Sequence, residues 1–288
     1  MIAVLEHELV MYYHSIKAYV FGAFLLVFAG IGSLLYNINA SIANFEYVLS
    51  FISITFIVLV PLLTMRTMAE EKSQNTDQLL FSLPITTTDI VLGKFLSLAV
   101  VFFIPVLVIC IYPIIFAQYG DVYLPTCYGS ILAFFFLGVA LLSIGMFISC
   151  ITESQSMAAG ICVVVMLFNY FCDSLSEYVS STTAGSIIGL LIVIVLIGVI
   201  ARYLTRSQFA GGIVVIVLLA AVAVAYIYDS TLLEGLLPDI MGKLSLFTRF
   251  ETFVNGVFDM TALVYDLSVI VFFLFLCVQS LEKRRYNG

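Results

Sequence analysis

The 288-residue sequence predicts an all-α polytopic membrane protein with about eight transmembrane helices (six to eight), built as one membrane domain over residues 1–288. Apolar runs of about 17 to 25 residues recur along the chain, each matched to the roughly 30 Å hydrocarbon thickness of a bilayer. Hydrophobic residues make up 63% of the chain and charged residues 10%, with a mean hydropathy of +1.18, a balance far from that of water-soluble domains. The polar side chains that remain are gathered, above all in residues 66–94, RTMAEEKSQNTDQLLFSLPITTTDIVLGK.

In chain order, residues 1–17, MIAVLEHELVMYYHSIK, carry Glu6 and Glu8 where a removable signal peptide has basic residues, and no A-x-A-like site follows the first apolar run. They predict an amphipathic helix on the cytoplasmic membrane face. Spans are expected at 18–36, 47–65, 91–117, 127–150, 154–172, 185–202, 209–228 and 263–281. A very short turn near 152–156 joins two of them, and Pro105 and Pro113 are expected to kink or break the third. Residues 229–262 are too polar to span, yet keep Leu232, Leu233, Leu236 and Leu237, then Leu244, Leu246, Phe247, Phe250, Phe253 and Phe258. They predict extracellular re-entrant or interfacial helices before the last span, acting as a packed lid or as a gate.

Positive charge sets the orientation. With the amino terminus inside, Lys17, Arg66, Lys72, Lys94, Arg202, Arg206, Lys283, Arg284 and Arg285 fall on the cytoplasmic side, and only Lys243 and Arg249 fall outside. Both termini and the polar stretch 66–94 are then cytoplasmic. That stretch has its own folding pattern. Residues 68–75 are helix formers without Gly or Pro, and 76–83 place Leu79, Leu80 and Leu83 on one apolar stripe, ended by Pro84. Thr86, three residues before Asp89, then starts the next apolar helix in the manner of a capping box. The whole reads as an amphipathic elbow at the membrane surface after the second span.

Several chemistries are excluded. His7-Glu8 is followed at the metal-ligand spacing by Met11, and His14 is seven residues away, so no zincin pair exists and no metal is expected. Gly93-Lys94 and Gly242-Lys243 run into Phe95 and Leu244 with no Gly-rich loop before them, so the chain carries no P-loop. There is no G-x-S-x-G and no pair of intramembrane acids placed for proteolysis. The six cysteines lack paired spacing and read as small hydrophobes. Glu153, Asp173 and Asp266 sit at expected span ends, leaving the interiors without the ionisable groups of an ion-driven carrier. Energy is therefore expected from outside the membrane. Gly22, Gly30 and Gly32, the patch Ala158-Ala159-Gly160, and Gly185 with Gly189 offer close helix packing, within one subunit or across a dimer seam.

Residues 65–95 resemble the cytoplasmic elbow of ABC-2 type transporter permeases at Met65-Arg66, Glu70-Glu71-Lys72, Leu79-Leu80, Ser82-Leu83-Pro84 and Val91-Leu92-Gly93-Lys94, departing at Asn75-Thr76, where that family has Gly-Thr. The tail, from Arg249-Phe250 through Gly256, Asp259 and Tyr265 to Leu281-Glu282-Lys283-Arg284-Arg285, is similar to the gliding-motility GldF-like branch. The resemblance implies a permease in a bacterial cell membrane, an exporter subunit that binds no cofactor and hydrolyses nothing itself. ATP and Mg would be bound by a separate ABC ATPase present in two copies, and a second permease, the same chain or another, would complete the unit; no nucleic-acid partner is implied. Carried over by position, Glu70, Glu71, Lys72, Gln74, Asn75, Thr76 and Asp77 would contact the ATPase, and Leu79, Leu80 and Leu83 would anchor the elbow to the bilayer. A non-transporting scaffold or signalling partner and an intramembrane lipid- or peptide-modifying enzyme are the alternatives.

Overall fold

The computed structural model describes residues 1–74, 76, 85–178, 191, 194, 212, 215–217, 219 and 235–287. All regular structure among the described residues is helical. Helices α1 (Ile2–His14) and α2 (Ile16–Ser33) are separated by Ser15, whose backbone is extended. A π-helical turn, Leu34–Asn39, continues α2 to a span of Ala18–Asn39. Next come α3 (Glu46–Ser53), α4 (Phe56–Thr64), the five-residue α5 (Ala69–Ser73), α6 (Thr87–Ile109), α7 (Ile111–Phe116), α8 (Leu124–Ile151) and α9 (Gln155–Tyr178). The chain closes with α10 (Leu236–Leu244), α11 (Leu246–Val254) and α12 (Met260–Asn287).

Five helices among the described residues are long and apolar enough to cross a bilayer: Ala18–Asn39, Thr87–Phe116, Leu124–Ile151, Gln155–Ser176 and Met260–Arg285. The expected span 47–65 is a broken pair, α3 and α4 meeting at 57°. Local residues loosen the backbone ladder around the break. Ser53 and Thr55 turn their hydroxyls back onto the carbonyls of Ser50 and Ile52, at 2.7 and 2.6 Å, and Pro61 removes an amide donor from α4. The interruption in the third span falls at Cys110, because Pro113 cannot donate to the carbonyl of Ile109 four residues earlier; Pro105 is accommodated inside α6. The expected spans 185–202 and 209–228 lie outside the described residues, apart from helical positions at 191, 194, 212, 215–217 and 219.

Two compact units emerge, Met1–Leu167 with Arg249–Gly288, and Phe168–Thr248. In the first, α8 is the central helix: 83% of its most apolar window is buried, against 22–39% for the other spanning helices. Its glycines let neighbours approach closely. A Cβ at Gly138 would meet the Phe102 ring at 2.4 Å, and one at Gly145 would meet Thr64 Oγ1 at 2.5 Å and Thr64 Cβ at 3.0 Å. Phe56, Phe102 and Phe134 fill the interior around α8, with ring centroids 4.8–6.1 Å apart. In the second unit, Asn169 fastens the start of α11 by accepting from the Leu246 amide at 3.2 Å, and Tyr170 packs edge-on against Phe247 at 5.1 Å. Ser245 caps α11 by accepting from the Thr248 amide at 3.2 Å. The stretch expected to carry short helices before the last span thus contains two of nine residues each.

Candidate functional site: a polar junction around the elbow

Helix α5, AEEKS, is built of good helix formers with Glu70 and Glu71 in its first turn, where carboxylates match the helix dipole. Five residues are too few to stand alone. Neighbouring helices hold them. Ser149, near the end of α8, accepts from the amides of Met68 and Ala69 at 3.2 and 3.1 Å, capping α5 from another helix. Lys72 donates to the carbonyl of Cys150. Arg66 Nε donates to Gln155 Oε1 on α9 at 2.9 Å and lies 3.5 Å from Glu70 Oε2. Replacing Ser149 with Ala is expected to cost about 0.5–2 kcal/mol, read as faster amide exchange confined to residues 68–74.

At the centre is Lys94, two turns into α6 and 2% exposed. Its ammonium lies 2.9 Å from Glu8 Oε1 of α1 and 2.5 Å from Glu71 Oε1 of α5, and donates to the Thr67 carbonyl at 3.0 Å. All three ammonium protons are used. A buried ammonium costs several kcal/mol unless such partners offset the lost hydration. Gly93 makes the arrangement possible, since a Cβ there would come within 2.9 Å of Val4 Cβ, so α1 lies directly against α6. Beside the cluster, burial first, then the charges of Glu8, Glu70 and Glu71, push the Tyr12 phenol up from its ordinary value and keep it neutral. The Thr87 hydroxyl donates to Glu282 Oε1 at 3.1 Å, bringing the end of α12 to the start of α6. Thr86 accepts from the Asp89 amide at 3.2 Å and donates to the Asp89 carboxylate at 2.6 Å, the cap expected from their spacing.

Of the elbow residues singled out in the sequence, Glu70, Glu71 and Lys72 lie on α5, and Gln74 and Thr76 follow it, exposed. Asn75, Asp77, Leu79, Leu80 and Leu83 lie outside the described residues. Glu71 and Lys72 direct their charged ends at their own subunit, whereas Glu70, Ser73, Gln74 and Thr76 are open or half-open to solvent. Sequence reasoning missed Glu8, Ser149 and Gln155 as parts of the junction. Only Glu8, an acid among the apolar residues of α1, left a signal.

The expectation that span interiors lack ionisable groups is corrected. Lys94 already falls inside the expected span 91–117, and the Thr86 cap, by starting α6 four residues earlier at Thr87, sets it two turns into the helix. Asp266 lies nearly two turns inside α12 and is 5% exposed; Glu46, 2% exposed, is buried as well but stands at the start of α3, not in a span interior. Among the described residues, Glu46 Oε2 and Asp266 Oδ1 have no hydrogen-bond partner. No group of three His, Cys, Asp or Glu among the described residues is placed to hold a metal ion.

Five described helices long and apolar enough to span a bilayer, with a cluster of charged side chains around a short polar helix, make this a multi-pass membrane protein. The family model described as "ABC-2 family transporter protein" matches residues 29–176, more than half of the chain, and takes in the elbow, α6, α8 and most of α9. The chain belongs to this family of ABC transporter membrane proteins, whose members generally lack ATPase motifs and associate with an ABC ATPase. No curated protein and no solved structure matches it.

Proposed function

We propose that the chain is the permease subunit of an ABC-2 type exporter, moving substrate across a bacterial cell membrane with ATP hydrolysed by a separate subunit. The observation that carries this is the elbow: a short polar helix fastened to α6, α8 and α9, in a chain of this family. Two permeases, identical or different, and two ATPases holding ATP and Mg form the working unit. Both termini and the elbow face the cytoplasm, α10 and α11 lie at the outer face, and the tail pattern favours the GldF-like branch. The contact with the ATPase is made by Glu70, Gln74 and Thr76, continued by Asn75 and Asp77. Glu71 and Lys72 serve it by fixing the elbow's orientation, and Leu79, Leu80 and Leu83 anchor the elbow to lipid. Closure of the ATPase pair draws the elbows together and tilts the helices fastened to them.

The test is purification of the full chain from its own membranes in mild detergent, with mass spectrometry of what stays bound. A near-stoichiometric ATPase is expected, with retention falling about tenfold in Glu70→Lys, a reversal of one interface charge worth roughly 1.4 kcal/mol. Glu70 is a cleaner probe than Glu71, where a second ammonium would face buried Lys94. Wild-type eluate without an ATPase overturns the assignment.

A further inference from the structure

We propose that Lys94 is a positioning residue that makes the amino-terminal helix α1 travel with the elbow, an inference that deepens the permease function above. One ammonium is shared by carboxylates from two elements otherwise distant in the chain, Glu8 of α1 and Glu71 of α5, and its third proton is held by Thr67, just before α5. The site is sealed: Lys94 is 2% exposed, and Val4 closes it over Gly93. Sliding α1 off Lys94 would strand the Glu8 carboxylate, whose side chain is 8% exposed, where no water replaces the lost partner, so α1 moves with the Lys94 clasp that also holds Glu71 of the elbow. The elbow is also tied to α8 through Ser149 and Lys72 and to α9 through Arg66. Lys94 is thus the link by which a force on the elbow reaches α1, and through Ser15 the first spanning helix.

The role is read as a distance. Spin labels are placed at Met11→Cys, which is 51% exposed, and at exposed Ser73→Cys on α5, with the half-buried Cys110 replaced by Ser. Labelled chain is diluted with unlabelled chain, and the purified complex is measured in nanodiscs without nucleotide and after vanadate trapping with ATP and Mg. The unaltered clasp is expected to give one narrow distance in both states. Glu8→Gln cuts only the α1 arm and leaves Lys94 matched with Glu71. It is expected to widen the distribution at least twofold without nucleotide and to make its centre shift on trapping. Glu71→Gln, at a half-exposed position, cuts the other arm and keeps the test open if Glu8→Gln does not fold. A distribution as narrow and as insensitive to nucleotide in these variants overturns the proposal, as does lowered thermal stability without broadening, the sign of a merely structural ion pair. Absence of an ATPase from the complex overturns the permease function alone, because the nucleotide-free width still decides whether the clasp joins α1 to the elbow.

Discussion

Lys94→Met is expected to lower the stability of the detergent-solubilised protein by about 3–5 kcal/mol, the range for removing one partner of a buried ion pair. The cost is a stranded carboxylate. Glu71 is 25% exposed and can turn toward water, but the Glu8 side chain is only 8% exposed and cannot. The double variant Lys94→Met/Glu8→Gln is therefore expected to recover more than half of the loss, although it removes more charge than the single change. Thermal unfolding of the two variants and of Glu8→Gln completes the cycle. A Lys94→Met protein within about 1 kcal/mol of the wild type would show that water reaches the cluster, since exposed ion pairs contribute no more than that.

Gly145→Val is the second large effect. A Cβ at Gly145 would already meet Cβ of Thr64 at 3.0 Å and its hydroxyl at 2.5 Å, and a short β-branched side chain has no far end that can swing aside. Helix α4 would have to move off α8. Overpacking of this kind costs about 1–3 kcal/mol and displaces backbone, and here the displaced backbone is that which enters the elbow, since Thr64 accepts the amide of Thr67 and stands five residues before Ala69. The expected result is a lowered melting temperature together with faster exchange of the Met68 and Ala69 amides, as their bonds to Ser149 are lost. Faster exchange without a stability change would place the strain in the elbow alone; a stability change with protected elbow amides would show that α4 and α5 move independently.

Much of the fold was legible because its signals are local. The spans near 18–36, 91–117, 127–150, 154–172 and 263–281 each have a helical counterpart, and Thr86 with Asp89 marked the start of α6 to within its cap. The broken second span was not legible. Ser53, Thr55 and Pro61 are tolerated in straight membrane helices as well, and a bend arises only when packing against α8 leaves room for it. At the candidate site, the Leu92-Gly93-Lys94 run stood out as a pattern without its cause, which the structure supplies: Gly93 admits α1, and Lys94 binds what α1 and the elbow bring to it. Glu71 was read as an outward contact, whereas its carboxylate faces Lys94.

Membrane residence and an all-helical build follow from the order of residues alone, because hydrophobic length and helix caps are properties of contiguous stretches. Which charges are partners was decided by the tertiary structure. Glu8, Glu71 and Lys94 stand on three separate helices, and nothing in their neighbours distinguishes a lysine that snorkels to the surface from one sealed between two carboxylates. That difference exists only once α1 has packed onto α6 and excluded the water for which the ammonium would otherwise reach.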